Sequence, residues 1–205
     1  MNLFPISGEN LFSFEDNSIN FFIFLKHTQI DPKFNINNLA GEGRLDLLCR
    51  VFTNVFFLSN NFRNSNLYVY FQKEAILIKF IGSKIKRVNP DERSVAGYLK
   101  KVFRIIMENQ PKAEDFFWDY LSLDDIPKKI PSGYTLDPNG TPIQHIKFQK
   151  NHSLIFFLGD HLGLNENEKS FLSCYQAISL GKIELLGSQC ITIIYHYVDD
   201  PVNFI

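Results

Sequence analysis

The residues with the clearest potential for chemistry follow a short apolar run in the last third of the 205-residue chain. Leu154–Leu158 has the composition of a strand buried on both faces, and Gly159-Asp160-His161-Leu162-Gly163 comes directly after it. Asn165 to Glu168 then predicts a capped helix start. A strand, a glycine-containing loop and a helix form a common ligand site in α/β proteins. The glycine spacing matches neither the dinucleotide-binding nor the phosphate-loop pattern, so the ligand must be identified from other parts of the chain.

Adjacent Asp160 and His161 suggest a metal site or a catalytic pair, but the sequence does not support either. No further ligands follow them at metal-binding spacing. The three cysteines, Cys49, Cys174 and Cys190, make no CxxC pair, which argues against a zinc site and a disulfide framework. We therefore expect no metal, and we expect Asp160 to accept hydrogen bonds from loop amides.

Composition indicates one globular domain covering residues 1–205, with 45% hydrophobic residues and 21 phenylalanines to form its core. No segment reaches the roughly 18 uninterrupted apolar residues of a membrane span. The first 20 residues contain three acids and no lysine or arginine, unlike a secretory leader. These features predict a cytoplasmic protein that does not enter a membrane.

The overall net charge of −1 conceals a basic segment. Between Lys79 and Arg104 the chain has eight basic residues and two acidic ones, so this segment carries +6 and the remainder −7. Such clustering is typical of a surface that binds phosphates, although a solvated helix face is an equally good explanation of the charge alone.

Apolar periodicity predicts alternating strands and helices, hence an α/β fold. Strands are expected at Phe21–Lys26, Leu67–Phe71 and Ile76–Phe80, and a helix at Arg44–Leu58. A long helix is predicted to begin at Asp91, after Pro90. Residues 108–129 are expected to form an insertion or a peripheral helix. Cys190–Tyr195 has strand propensity, but Gly187 and Ser188 offer a helix cap, and periodicity does not decide between them.

Three blocks in consistent order closely resemble the archaeal tRNA pseudouridine N1-methyltransferase family, a branch of the SPOUT methyltransferases. They are Gly43–Arg50, the stretch from Ile78 to Arg93, and the stretch from Phe157 to Ile194. The resemblance implies a SPOUT-type α/β fold, with a mostly parallel sheet flanked by helices and a C-terminal trefoil knot. It also implies S-adenosylmethionine as cofactor, methyl transfer to pseudouridine in the T loop of tRNA, and a homodimer. It assigns the C-terminal run to a helix.

The resemblance also assigns roles to individual residues. It places Leu136, Gly159, Leu180, Leu185 and Cys190 around the cofactor, where Gly159 would let the backbone approach closely and the leucines would suit adenine.

Three charged residues match the family's RNA-facing positions. Asp46 is expected to orient the base during catalysis, and Arg44 and Arg93 to bind RNA phosphates. A charged first helix turn would also explain Asp46. Methyl transfer from a sulfonium requires no metal.

Residues 1–20 and 108–129 diverge from the family pattern, which leaves the RNA substrate open. One alternative is a methyltransferase of the same superfamily that acts on ribosomal RNA. Another is a knotted RNA-binding protein without turnover. RNA, with tRNA first, and a second copy of the chain are the expected partners, and DNA is not. The apolar run Ile191–Tyr197 is predicted to contribute to the dimer contact.

Overall fold

A seven-stranded sheet forms the centre of the computed structural model, which describes residues 11–59, 61–110, 113–149 and 151–204. The strand order is β4-β3-β2-β1-β6-β5-β7. The strands are β1 (Ile19–Leu25), β2 (Ser65–Phe71), β3 (Ile76–Ile81), β4 (Phe116–Tyr120), β5 (Tyr134–Pro142), β6 (Leu154–Leu158) and β7 (Gln176–Ser179). Five neighbours, β2, β1, β6, β5 and β7, are parallel, whereas β3 is antiparallel to β2 and β4.

The central strands are apolar on both faces because helices or loops cover both sides of the sheet. Phe21 to Leu25 in β1 and Leu154 to Leu158 in β6 are all buried. β1 pairs with β2 on one side and with β6 on the other, so the first strand lies between partners from distant parts of the chain. The predicted strands in β1, β2, β3 and β6 are confirmed.

Three helices cover one face of the sheet: α1 (Leu45–Phe56), α2 (Glu92–Met107) and α5 (Gly187–Val198). α2 begins as predicted, because the Asp91 carboxylate accepts a hydrogen bond from the Ser94 amide at 2.9 Å. α5 confirms the helix that the resemblance implied, against local strand propensity. Ile191 and Ile194 are fully buried on the core, and the Tyr195 hydroxyl donates to the Val55 carbonyl at 2.8 Å. Burial within the chain therefore accounts for much of the apolar character of this run.

The opposite face is covered by residues 11–14, by residues of the 108–129 segment and by α4 (Glu166–Leu172). Leu11, Phe12 and Phe14 pack there with Ile126, the first residue of the short α3 (Ile126–Lys129), and with Ile130, which follows this helix. Residues 1–10 of the divergent N-terminus lie outside the described residues. Both segments thus contribute to a second apolar core.

Residues 116–120 form an edge strand, so the expected peripheral helix is wrong for this part of the 108–129 segment. Phe116 and Trp118 are buried while Phe117 and Asp119 are half-buried, which is the period of two that a strand requires. Among the described residues of this segment, helical conformation is limited to a 3-10 turn at Leu123–Asp125 and to α3. Within the described ranges, no helix combines the length and apolar composition needed to cross a lipid bilayer.

Candidate active site

The carboxyl ends of β1 and β6 lie side by side, because these strands are parallel and Ile23 pairs with Leu158. Lys26, His27 and Thr28 therefore emerge beside the loop that begins at Gly159. Carboxyl edges of parallel strands are the usual ligand-binding side of α/β sheets. The predicted glycine loop is thus positioned where a ligand site is expected.

Lys26 holds this loop against the end of β1. Its Nζ lies 3.3 Å from Asp160 Oδ1 and 3.4 Å from Glu168 Oε2, and it also donates to the Gly163 carbonyl. The side chains of Asp160 and Glu168 are only 4% and 0% exposed. The two buried carboxylates therefore share one ammonium group as their counter-ion, and without it their burial would be costly. The sequence prediction missed Lys26; a single basic residue after the apolar β1 run was its only signal.

Further hydrogen bonds fix the loop and the start of α4. Asp160 Oδ1 accepts from the Leu162 amide at 2.8 Å, which confirms the predicted role of this carboxylate. Asn165 and Glu168 form a capping box, with the Asn165 amide donating to Glu168 Oε2 at 2.6 Å. Gln72, which follows β2, donates to the other Glu168 oxygen. Glu168 therefore joins β1, β2 and α4.

Gly159 is required by the loop itself. A Cβ added there would lie 2.3 Å from the Gly163 carbonyl carbon and 2.7 Å from the Leu164 nitrogen. The loop folds back on its own backbone at this point, so a larger residue would force it open. This explains the glycine without reference to a ligand, and proximity of Gly159 to the cofactor stays a prediction.

A second glycine brings the first turn of α1 to the same edge. Gly43 has a φ of +65°, and a Cβ there would lie 2.6 Å from the His27 carbonyl oxygen. The Thr28 hydroxyl donates to the Gly43 carbonyl at 2.6 Å. Arg44 follows with a left-handed φ of +68° and precedes the first residue of α1. The end of β1 thus contacts both the glycine loop and the residues that open α1.

Asp46 is held between two guanidinium groups. Arg44 donates to Oδ1 through Nε at 2.9 Å and to Oδ2 through Nη2 at 3.1 Å, and Arg50 donates to Oδ2 at 2.7 Å. The hydrogen bond from Arg44 lowers the pKa of Asp46, outweighing the opposing effect of desolvation. The nearby charges of Arg44 and Arg50 and the Leu47 amide lower it further. Asp46 is therefore an ionised carboxylate whose Oδ1 retains capacity for another hydrogen bond.

Arg93 lies near this group without contacting it. Its Nη2 donates to Asn37 Oδ1 at 2.6 Å, and Asn37 belongs to the β1–α1 connection that ends at Gly43. The two helix starts also lie close enough to act on one buried thiol. The pKa of Cys49 is raised to about 12, mainly by burial and further by the carboxylates of Glu92 at the start of α2 and Asp46 at the start of α1. The first turns of α1 and α2 therefore lie at the same side of the molecule.

The residues expected around the cofactor lie at the ends of neighbouring strands. Leu136 in β5 pairs with Ile178 in β7, and residues 137–140 leave the ladder before Thr141 returns to Ile178. The Ser179 hydroxyl donates to the Pro138 carbonyl at 3.1 Å, so this excursion is fixed to the end of β7. Leu136 therefore lies at the same edge of the sheet as the predicted cofactor residues that follow β7.

Three more predicted residues lie in the chain that leaves β7 and enters α5. Leu180 and Leu185 are half-buried against the main core, and the Cys190 sulfur lies 4.0 Å from the Leu185 carbonyl oxygen. Burial raises the pKa of Cys190 to about 11, so it is a neutral thiol at physiological pH. The fold therefore supplies an apolar wall at the carboxyl edge of β5 and β7, which is next to β6 and its glycine loop.

Two histidines lie where the β1 end meets the glycine loop. The rings of His27 and His161 are 6.3 Å apart between centroids, and both are exposed. The sequence had suggested no role for His27, because its partner is 134 positions away. Across the described ranges no group of three or more histidine, cysteine, aspartate or glutamate side chains is arranged to hold a metal ion.

A groove of about 400 Å³ lies elsewhere, between α1 and α5. Its lining includes Asn54, Arg63, Thr192, Tyr195 and His196, and none of the predicted cofactor or catalytic residues. Arg63 closes one end by pairing with Asp199 at 2.7 Å and lying over the Tyr195 ring. The groove is thus separate from the carboxyl edge of the sheet.

Comparison with known proteins gives concordant matches over most of the chain. A family model described as "Putative SAM-dependent RNA methyltransferase" matches residues 19–202. The tRNA (pseudouridine(54)-N(1))-methyltransferase of Methanococcus maripaludis strain C5 is 32% identical over 194 residues, covering 87% of this chain and 97% of the relative. The protein of the same name from Methanocaldococcus jannaschii is 34% identical over 198 residues, covering 87% and 95%.

A solved structure, Archaeoglobus fulgidus Nep1 bound to S-adenosylhomocysteine, is similar with a TM-score of 0.61 and 12% identity. The match covers 87% of this chain and 95% of that one. At this identity the likeness concerns the fold.

Proposed function

Because the chain belongs to the family of tRNA (pseudouridine(54)-N(1))-methyltransferases, we propose that it transfers a methyl group from S-adenosylmethionine to N1 of pseudouridine in the T loop of tRNA. The observation that carries the proposal is the junction at the end of β1. There Lys26 holds the glycine loop, while Thr28 holds Gly43 beside the Arg44–Asp46 pair. The three consecutive residues 26–28 thereby join the glycine loop, which would bind the cofactor, to Asp46, the carboxylate that would orient the base.

The residues at the carboxyl edge fit S-adenosylmethionine. Leu136, Leu180, Leu185 and Cys190 would enclose the adenine, since aromatic bases bind in apolar slots that offer a few backbone hydrogen bonds. The backbone of the loop starting at Gly159 would line the same site. When bound, the cofactor supplies an electrophilic methyl group on a positively charged sulfur. The solved Nep1 structure that shares this fold contains S-adenosylhomocysteine, the demethylated form of this compound.

Asp46 would orient the target base. Asp46 Oδ1 accepts one hydrogen bond from Arg44 and can accept a second from the N1–H of pseudouridine. The negative charge of Asp46 favours departure of the N1 proton as the methyl group arrives. Its lowered pKa makes Asp46 a weak proton acceptor, so the proton would pass on to solvent. Arg44 keeps unused donors beyond its two bonds to Asp46, and these can bind a phosphate next to the base, with Arg93 binding a second.

The finer architecture belongs to the same proposal. The chain from β6 to α5 would form the trefoil knot of SPOUT enzymes, and two copies would assemble as a homodimer. The α1–α5 groove offers a contact surface, since Thr192, Tyr195 and His196 of the predicted dimer segment line it. A tRNA substrate would place the enzyme in the cytoplasm.

Asp46→Asn tests the proposed chemistry. The amide keeps the shape and one acceptor but loses the charge, so the variant should bind S-adenosylmethionine and tRNA normally and lose at least a hundredfold in single-turnover methylation. Asp125→Asn is the matched control, because Asp125 forms an exposed ion pair with Lys128 on the other face of the sheet. A wild-type single-turnover rate in Asp46→Asn would remove this residue from the mechanism.

Nucleoside mass spectrometry of tRNA and ribosomal RNA incubated with the enzyme and S-adenosylmethionine identifies the substrate. We expect N1-methylpseudouridine in tRNA. Methylation of ribosomal RNA alone would replace the tRNA assignment. RNA binding without methylation of either would indicate a non-catalytic protein.

A further inference from the structure

The solvent-facing side of α2 is a continuous row of cations around a glycine. The helix buries Val95, Leu99, Val102, Phe103 and Ile106 against the sheet. Arg93, Gly97, Lys101 and Arg104 follow one another at helical spacing on the opposite side, and all four are exposed. From Arg93 to Arg104 the row extends about 16 Å along the helix axis.

Gly97 has no structural role that packing can explain. A Cβ added there would meet no atom of the described residues within 4 Å, and the residue has ordinary helical conformation. Glycine in a helix interior weakens the helix relative to alanine. No described neighbour would clash with a side chain at this position. The exposed helix backbone at Gly97 is therefore available for contact with another molecule.

The cations on either side of Gly97 have no acidic partners. Among the described residues, Arg93, Lys101 and Arg104 form no ion pair, and Arg93 donates only to the neutral Asn37. The connection before α2 adds three exposed cations, Lys84, Lys86 and Arg87, which are likewise unpaired with any described carboxylate. A solvated helix face usually carries both signs of charge, whereas this one carries a single sign beyond its first turn.

The row leads toward the candidate active site. Arg93, at the N-terminal end of the row, contacts Asn37 in the connection that ends at Gly43 and Arg44. Lys100, half-buried beside the row, donates to the Phe34 carbonyl at 2.9 Å and fixes the same connection to α2. An extended polyanion with one end at Arg44 therefore has a positive path along α2.

We propose that the Arg93–Gly97–Lys101–Arg104 row is a docking surface for the RNA backbone outside the methylated loop, with the phosphates passing over the open helix backbone at Gly97. The proposal rests on the RNA methyltransferase function. It adds a second contact region, which continues from Arg93 along Gly97, Lys101 and Arg104 and which the enzyme uses to hold the body of its substrate.

The test uses the full-length protein and two RNA probes, an unmethylated tRNA containing pseudouridine in the T loop and the isolated T-arm hairpin. The double variant Lys101→Gln/Arg104→Gln should bind the tRNA at least tenfold more weakly in filter binding. Two lost phosphate contacts should also reduce the slope of log affinity against log salt by roughly 1.4 to 1.8. The hairpin, which lacks the body of the tRNA that the proposal places on the row, should be bound and methylated by the variant as by the wild type.

Gly97→Leu separates steric access from charge. Leucine favours helix, so the variant should be at least as heat-stable as the wild type, yet bind tRNA at least tenfold more weakly. Lys128→Gln/Lys129→Gln on α3 is the control for loss of two adjacent cations, and it should leave tRNA affinity within twofold.

Wild-type tRNA affinity and salt slope in both α2 variants would overturn the proposal. Equal weakening of tRNA and hairpin binding would also overturn it, since the row would then not contact the body of the RNA. Absence of methylation in the wild type would instead count against the proposed activity, while the binding measurements would still decide the role of the row.

Discussion

At the scale of single residues, Lys26 is the most consequential side chain that the structure adds to the candidate site. It is the shared counter-ion of Asp160 and Glu168, which are both almost fully buried. Removing one partner from such a cluster leaves uncompensated charge in a site that water cannot reach freely. The position of the glycine loop therefore depends on a residue at the end of a different strand.

Lys26→Met should reduce the affinity for S-adenosylmethionine at least tenfold and lower the free energy of unfolding by about 3 kcal/mol. The methionine keeps the apolar stem but leaves Asp160 and Glu168 without a cation. Calorimetric titration and urea denaturation measure the two effects. Lys147→Met is the control, because Lys147 is exposed and, within the part of the chain that the structure describes, donates only to the Val202 carbonyl. Undiminished cofactor affinity in Lys26→Met would show that the contacts of Lys26 with Asp160 and Glu168 do not shape the loop that begins at Gly159.

The sequence identified some of these residues and not others, for a physical reason. Arg44 and Asp46 lie two positions apart, so their pairing is contained in one local motif. Lys26 and Glu168 are 142 positions apart and meet only because β1 and β6 are parallel neighbours. Before the pairing of strands is known, a lysine at a strand end has no predictable partner.

At the scale of elements, the β6–loop–α4 unit depends on close backbone contact. The loop reverses so tightly that Gly159 touches the backbone of Gly163 and Leu164. The capping box at Asn165 then starts α4 immediately. Gly163, by contrast, has a φ of +71° with open space around its Cβ position.

Gly159→Ala and Gly163→Ala should therefore differ in effect. Alanine at 159 forces the loop apart, and we expect it to lower stability by about 2 to 3 kcal/mol and weaken cofactor binding at least tenfold. Alanine at 163 only strains a left-handed conformation, which costs about 1 kcal/mol. Urea denaturation and calorimetry on both variants check this. Equal losses would indicate that the close contact at Gly159 is relaxed in solution.

Elements with strong apolar periodicity were predictable, while two others depended on their surroundings. α1 and α2 carry clear helical stripes, and β1 and β6 are continuous apolar runs. Residues 116–120 became a strand because the exposed edge of β3 pairs with them. α5 is helical despite its β-branched residues because its apolar side fits against α1 and the sheet, so tertiary packing outweighs local propensity.

At the scale of the whole molecule, the N-terminal segment is part of the second core. Lys79 in β3 is buried, and its Nζ donates to the Ser13 carbonyl at 2.8 Å. The ammonium also lies 5.5 Å from the centre of the Tyr68 ring. The segment around Ser13 is thus fixed to the sheet through a lysine held in largely apolar surroundings.

This arrangement predicts a pH dependence of stability. Burial lowers the pKa of Lys79 to about 8, below its ordinary value of 10.5, although the charge of Glu15 opposes the shift. Between these pH values Lys79 binds more protons in the unfolded chain than in the folded one, so its contribution to the free energy of unfolding should rise with pH from about 8 to 10. The buried thiols of Cys49 and Cys190 and buried tyrosines such as Tyr195, whose pKa values are raised by burial, oppose this contribution as the pH increases.

Lys79→Met should remove this contribution, because methionine does not titrate, so the free energy of unfolding of the wild type should increase with pH relative to that of the variant. Urea denaturation of both proteins at intervals between pH 7 and 10 measures the slopes. A variant with the slope of the wild type would mean that Lys79 remains charged throughout this range.

The position of β1 in the sheet also governs the order in which the protein can assemble during synthesis. β2 follows β1 by about 40 residues, whereas β6, its other neighbour, is the sixth of seven strands to leave the ribosome. Until then one edge of the apolar strand Ile19–Leu25 has no partner, and such edges readily pair with other chains. The nascent protein therefore passes through a long interval in which this apolar strand is half-paired, and its yield in cells depends on protection during that interval.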